Sequence, residues 1–405
     1  MRKLMFLAAL SLACHGQAVA EDTDGFLSGG KASLQLRYRL ENVDQDDADR
    51  DATANTLRLR LNLATGTVNG FSGVLELDRL QALGAEHYNS TRNGHTSYPI
   101  VADPESTDLN QAYLQYKGFS ETTLRLGRQR ITLDNQRFVG AVGWRQNEQT
   151  FDAFTLENKG LRNTTITYTY VDAVRRVFGP DAGSPIEKFE GDSHLFNLKY
   201  ASLPIGAVSV YGYFLDLDNA ATLSSRTLGL RLDGKRKLTE MATATWRAEF
   251  ARQRDAGNNP ARINADYWLL EAGLKGAKLG AAVGVEVLGG EPGTFAASQN
   301  PAFQTPLATL HGFQGWADKF LTTPSAGIED RYISVSGVQA GVSAQAVWHD
   351  FSADATGVDY GTELDLSVSW KFAGRYEALL KFADYSADGL STDTRKFWLQ
   401  VAATF

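Results

Sequence analysis

Long runs in which apolar and polar residues strictly alternate recur along almost the whole chain, and they limit its fold more than any other feature. Leu34, Leu36, Tyr38 and Leu40 alternate with Gln35, Arg37, Arg39 and Glu41. Leu57, Leu59, Leu61 and Leu63 alternate with Arg58, Arg60 and Asn62, and Leu364, Leu366, Val368 and Trp370 with Glu363, Asp365, Ser367 and Ser369. Side chains two residues apart share one face of a strand, so each run is a strand with one apolar and one polar face. A soluble sandwich would alternate as well. Three features favour a membrane instead. The polar faces are too charged for a buried core, and the runs reach the ~9–12 residues that a tilted membrane crossing needs. Aromatic residues (Tyr116, Tyr170, Tyr200, Trp370, Phe372) also sit near strand ends, where an interfacial girdle would lie.

Strands are expected to start near residues 32, 56, 71, 108, 121, 149, 163, 193, 206, 226, 241, 265, 277, 330, 340, 361, 374 and 395. Connections after even-numbered strands are short, for example Gly66 to Gly70, Ser202 to Gly206 and Gly337 to Gly341. Those after odd-numbered strands include the long segments 84–106, 131–147, 172–191, 252–264 and 289–329. Short turns on one rim and long loops on the other mark an all-β fold: a transmembrane, antiparallel, up-and-down β-barrel of about 18 strands in a bacterial outer membrane. Long loops would lie outside and both termini in the periplasm. After residue 20 no stretch approaches ~18 consecutive apolar residues, so no membrane-spanning helix is expected.

Both ends fit export to that membrane. Arg2 and Lys3, the apolar stretch Leu4 to Ala13, and Ala18-Val19-Ala20 before Glu21 read as a cleaved signal peptide over residues 1–20. Cys14, the only cysteine, would leave with it, so residues 21–405 would form the barrel without thiol chemistry. Phe397, Leu399, Val401, Ala403 and Phe405 share one face of the last strand. A terminal aromatic on an alternating strand resembles the signal read by the outer-membrane assembly machinery. Membrane lipid and lipopolysaccharide are the other expected partners. A net charge of -7 argues against nucleic acid, whose phosphates need a basic footprint.

If apolar rows face lipid, polar rows face the lumen. That places Arg37, Arg39, Arg58, Arg60 and Arg125 inside, with Glu363 and Asp365 brought near the arginine cluster by barrel closure. Opposed charges of this kind select ions and polar solutes, or else merely neutralise one another and stiffen the wall. The stretch from Gly127 to Asp152 breaks the alternation and carries Arg128, Arg130, Arg137 and Arg145 among amides and small glycines. A polar loop at this place could fold into the lumen and constrict it. Its guanidiniums suit the carboxylates of acidic sugars, which arginine grips with two parallel hydrogen bonds.

This stretch, the preceding strand Asp108-Leu109-Asn110-Gln111-Ala112-Tyr113-Leu114 and the terminal Phe405 resemble the alginate-export family of outer-membrane proteins. The resemblance is closest over residues 107–157. It implies a monomeric 18-stranded barrel with an arginine-rich lumen that passes an anionic polysaccharide, with Arg128, Arg130, Arg137 and Arg145 at motif positions. The lumen expected here is mixed in charge rather than clearly basic.

Other motifs lead nowhere. Gly229 to Lys235 matches part of a phosphate loop, but Arg236 stands where Ser or Thr is required. Asp47, Asp49 and Asp51 fit calcium-loop positions, yet Ala52 and Arg58 replace the needed Gly and Glu. No Gly-x-Ser-x-Gly or His-Glu-x-x-His is present. His87, His95, Ser90 and Asp103 share one expected outer loop and are the best candidates for a barrel hydrolase. The leading expectation is a passive channel for anionic or polar saccharides that needs no cofactor or metal and catalyses no reaction. A general or small-acid-selective porin is the alternative; a hydrolase or an adhesive barrel working through loop 289–329 comes after it.

Overall fold

The computed structural model describes residues 23–405 apart from residue 185; the export signal and Cys14 lie outside the described residues. A short helix, α1 (Thr23–Ser28), precedes 18 strands. They are β1 (Lys31–Gln45), β2 (Ala52–Ala64), β3 (Phe71–Ala82), β4 (Ser106–Tyr116), β5 (Thr122–Gln129) and β6 (Thr150–Asn158). Next come β7 (Thr164–Arg175), β8 (Lys188–Leu203), β9 (Gly206–Leu215), β10 (Ser225–Lys237), β11 (Thr243–Asp255) and β12 (Asn264–Lys275). The last are β13 (Leu279–Leu288), β14 (Ile328–Gln339), β15 (Val342–Ser352), β16 (Asp359–Phe372), β17 (Tyr376–Ala387) and β18 (Thr394–Thr404).

Every strand pairs antiparallel with its sequence neighbours, and β1 pairs with β18 from Gln35↔Thr404 to Gln45↔Thr394, so the sheet closes on itself. Two further bonds between Leu34 and Phe405 seal the seam. Closure leaves no strand edge unpaired, which is what hydrocarbon demands of a spanning sheet. The alternation then sorts the faces. Leu61, Leu75, Leu114, Val210, Leu230, Leu270, Val335 and Leu366 stand exposed on the outside. The opposite row of β1, from Arg37 through Arg39 and Glu41 to Val43, is buried inside.

Strand starts fall close to those expected from the alternation, and so does the asymmetry of the rims. On the rim shared by the two chain ends the turns are tight. The β14–β15 turn is only Ala340-Gly341, both with positive φ (50° and 80°), as a two-residue hairpin turn requires. On the other rim the connections include 83–105, 130–149, 176–187 and 289–327. The β7–β8 loop is shorter than expected because both strands run further than their clean alternation. Aromatics ring the tight-turn rim: Phe71 packs on Tyr116 at 4.5 Å, and Trp370 on Phe372 at 4.5 Å. The supposed phosphate loop lies in β10, where Gly229 sits under the Tyr211 ring; a Cβ there would overlap the aromatic. Gly284 under Tyr332 repeats the device, an aromatic covering a strand glycine.

The lumen is not empty. Segments 130–149 and 289–327 fold inward and join, with Val139 bridged to Leu307 and Gly140 N–H donating to Leu307 O at 2.8 Å. Phe138 packs against Tyr267 (5.1 Å), Tyr211 (5.3 Å) and Phe303 (5.8 Å) between ring centroids. Phe320 meets Phe351 at 4.7 Å. The long-loop half of the barrel therefore encloses an aromatic core like that of a soluble protein. Toward the tight-turn rim the inward row loosens: along β18, Thr394, Lys396, Trp398 and Gln400 are buried, whereas Thr404 is exposed.

Candidate functional site

Strands β1, β2 and β3 project Arg37, Arg58, Arg60 and Glu76 from neighbouring positions of the inward row, and the inner loop adds Arg130 and Glu148. Together they surround a cavity of about 390 Å³ near the tight-turn rim. Arg60 forks onto Asp78 (2.8 and 2.6 Å) and also reaches Glu148. Arg130 binds Glu148 at 2.6 Å and Glu76 at 3.1 Å, with about a third of its side chain still exposed. Burial alone would raise the Glu148 carboxyl, but Arg60 and Arg130 pull it down to about 2.

Arg37 and Arg58 differ from these. Arg37 donates to the Gln146 amide oxygen at 2.8 Å and to the carbonyls of Gly143 and Arg145. Arg58 donates to Gln146 O at 3.1 Å and to Gln35, and its Nε has no partner. Among the described residues neither has a carboxylate within ion-pair distance. Two guanidiniums on this wall are thus held by neutral oxygens rather than by a direct ion pair. Farther along the wall Arg39 lies over Trp144 at 4.0 Å, bonds Gln400 and approaches Asp103 at 3.8 Å. Arg125 stands nearer the tight-turn rim, held by Gln115 at 3.0 Å.

Across the lumen the balance is reversed. Strands β11 to β15 and the 289–327 loop line a smaller cavity of about 190 Å³ with Glu271, Glu286, Asp330, Arg247, His349 and Trp316. Tyr332 donates to Glu271 at 2.6 Å, and His349 pairs with Asp330 at 2.9 Å. The barrel interior therefore has a basic wall and an acidic wall.

The remaining motif residues occupy other settings. Arg137 is buried in the plug, where it binds Glu286 (2.7 Å), Thr305 (3.0 Å) and Gln314 (3.0 Å) under the Phe313 ring. Arg145 binds Glu41 at 3.2 Å and Asp318 at 3.1 Å. For both, burial is outweighed by these carboxylates, which hold the guanidinium above its ordinary value. Arg128 pairs with Asp152 at 2.7 Å, and Arg175 takes the other oxygen of the same carboxylate at 3.1 Å. The expectation that Glu363 and Asp365 adjoin the arginine cluster needs correction. They lie two strands short of the seam and accept backbone N–H groups of the plug, Ala317 to Glu363 at 2.7 Å and Trp316 to Asp365 at 3.1 Å. A buried loop must satisfy its backbone donors, and these two carboxyls do so.

The loop candidates for hydrolysis do not assemble. Asp103 turns into the barrel to accept Gln146 N–H at 2.8 Å, whereas His95 bonds the Glu86 carbonyl at 2.8 Å. Among the described residues no three His, Cys, Asp or Glu side chains are arranged to hold a metal ion.

Sequence reasoning missed a second buried cluster, centred on His311. Its Nδ1 meets Asp318 at 2.7 Å, its Nε2 faces Lys381, and its ring stacks on Trp144 at 4.5 Å. This pattern assigns the neutral tautomer, with Nδ1–H donating to Asp318 and Nε2 accepting from Lys381. Burial first, and then the adjacent cations Lys381 and Arg145 despite Asp318, hold His311 well below the usual histidine range. The only advance signal was the run of inward-parity aromatics at the long-loop ends of strands, such as Tyr211, Tyr213, Tyr385 and Trp398.

Comparison with known proteins agrees with this architecture. The family model described as alginate export matches residues 31–287, more than half of the chain. Among solved structures, Pseudomonas aeruginosa OpdK in complex with vanillate superposes with a TM-score of 0.71 at 14% identity, covering 94% of this chain and 100% of that one. Acinetobacter baumannii OccAB4 gives 0.72 at 15% identity (93% and 98% covered), and Pseudomonas aeruginosa OccK5 gives 0.69 at 16% (94% and 99%). At such identities these likenesses speak for the fold alone. No curated protein matches the sequence. The closed 18-stranded barrel is that of an outer-membrane porin, and the family match settles the rest: the chain belongs to the alginate-export family and is an outer-membrane channel.

Proposed function

We propose that the channel passes anionic solutes, uronate-bearing saccharides foremost, along the basic wall formed by Arg37, Arg58, Arg60 and Arg130. The observation that carries this reading is that Arg37 and Arg58, beside the 390 Å³ cavity, are held by neutral oxygens and not by a direct ion pair. A carboxylate entering there gains charge-assisted hydrogen bonds without having to displace an existing ion pair. Glu76 and Glu148 moderate the field, so the solute is attracted but not trapped. The long loops then lie outside the cell and the tight turns and termini in the periplasm, the usual arrangement of such barrels. The barrel works as a monomer in lipid, is assembled through its Phe405 strand, and performs no reaction. In a planar bilayer, uronate oligomers should reduce the current carried by the purified barrel. Conductance indifferent to them would remove the saccharide from the reading.

A second reading, passage of small organic acids, is favoured by the plug. With Phe138, Phe303 and Leu307 packed across the long-loop half, the remaining cavities suit single small molecules better than a polymer. OpdK, whose structure was solved with vanillate, offers a precedent in this fold. Vanillate reducing the current where uronate oligomers do not would decide for the small acids.

A further inference from the structure

The two plug segments and the loops 83–105 and 176–187 together line a cavity of about 590 Å³. One part of its lining is apolar: Ile100, Val142, Phe178, Ile186, Leu310 and Leu321. Ile100 (56%), Ile186 (44%) and Leu321 (45%) are strongly exposed, although they stand on loops rather than on the lipid-facing rows. Large side chains that show apolar surface to water around a concavity mark a binding site more often than a chance feature.

The other part is cationic. Arg145, Arg176, Lys319 and Lys396 line the cavity against a single acid, Asp318. Arg145 and Lys396 already share Asp318, at 3.1 and 3.0 Å. Arg176 and Lys319 have no carboxylate within ion-pair distance among the described residues. Arg176 is clamped between the Phe178 and Phe189 rings, at 4.7 and 4.4 Å, and its guanidinium donates to the Ile186 carbonyl at 3.4 Å. Lys319 donates to the Thr394 hydroxyl at 2.8 Å. Burial lowers Arg176 to about 10; burial first, and then Lys396, lower Lys319 against the opposing pull of Asp47, Glu363 and Asp318. Neither cation is held in a direct ion pair among the described residues: Asp47, Glu363 and Asp318 act on Lys319 only from beyond that distance, and no carboxylate shifts Arg176.

We propose that this vestibule is a capture site for an amphipathic organic anion, a carboxylate carried on an aryl or alkyl body. The carboxylate pairs with Arg176, held between its two rings, and Lys319 adds a second positive charge to the same lining, while the body covers Ile100, Ile186 and Leu321. A sugar acid satisfies the cations but leaves the apolar walls wet; a neutral hydrocarbon does the reverse. The site is separate from the basic wall near the other rim and does not depend on what passes there.

The test is calorimetric titration of the full chain in lipid nanodiscs with phenylbutyrate, glucuronate and phenylbutanol. Phenylbutyrate should bind at least about tenfold more tightly than either of the others, as expected when charge pairing and apolar burial act together. Arg176→Gln and Lys319→Gln should each weaken phenylbutyrate about fivefold or more, and neither should alter the reversal potential set by Arg58 and Arg60. Both residues lie in loops, and heat-modifiable migration of the barrel on gels verifies folding of each variant. Equal binding of glucuronate or of phenylbutanol overturns the proposal, as does unchanged phenylbutyrate affinity in both folded variants. A failed selectivity test at Arg58 and Arg60 would sink the passage reading and leave this result standing.

Discussion

Arg130 and Arg137 leave the same stretch of chain seven residues apart and end in opposite circumstances. Arg130 turns toward the cavity by the basic wall, with a third of its side chain exposed and its two carboxylates shared with Arg60. Arg137 is sealed inside the plug, with its hydrogen bonds taken up by Glu286, Thr305 and Gln314. The first sits where a solute could compete for it; the second fastens the loop to the wall. An arginine-rich motif in a barrel is therefore not one device. Depth and pairing decide whether each guanidinium serves passage or structure.

This contrast can be broken at several points. Arg137→Ala should have the largest effect, because it leaves Glu286 buried without its cation. A loss of about 3–5 kcal/mol in plug docking is expected, as for other broken buried pairs. It should show as protease cleavage within 130–149 and larger, noisier single-channel currents. A variant as protected and as quiet as the parent would mean the plug does not depend on this clamp.

Acidification should come next. Docked His311 stays neutral because burial and neighbouring cations depress it, whereas a released loop histidine titrates near about 6.5. Plug stability is then complete above that value and is lost as pH falls below it, at up to about 1.4 kcal/mol per unit. Asp318 does not change this window: although burial opposes its charge, the hydrogen bond from His311 and the charges of Lys396 and Arg145 hold it far below the usual carboxylate range. Currents recorded from pH 7.5 to 5 should grow in the parent and stay flat in His311→Gln. A flat parent would show that His311 does not help to hold the plug.

Arg130→Gln should change stability by less than about 1 kcal/mol, as expected for a partly exposed pair, yet lower anion preference. Arg128→Gln should have the smallest effect of all: no change in selectivity, since its guanidinium braces Asp152 beside Arg175. A selectivity shift there equal to that of Arg130→Gln would erase the distinction between passage and bracing.

The wall was largely legible in the sequence because period-2 alternation is a local signal that one strand displays unaided. Leu57 to Leu63 sort themselves against Arg58 and Arg60 wherever that strand finally stands. The plug was only half legible. The broken pattern after Gly127 announced an inward loop, but nothing local linked Arg137 to Glu286 or His311 to Lys381, pairs 149 and 70 residues apart. Their meeting depends on loop docking within a closed lumen. The misplacement of Glu363 and Asp365 has the same origin: parity correctly put them inside, while their partners belong to a loop that alternation cannot place. Where inward rows turned aromatic, as at Tyr211 and Tyr213, the strands were already showing that something packs on both faces.

The most direct test of the basic wall is the reversal potential of the purified barrel in a planar bilayer under a salt gradient, for the parent and for Arg58→Ala/Arg60→Ala. The parent should favour anions. The double variant, which removes one guanidinium that has no direct ion pair and strips Asp78 and Glu148 of a partner, should shift clearly toward cations. An unchanged reversal potential would place these arginines off the conduction path and contradict the account.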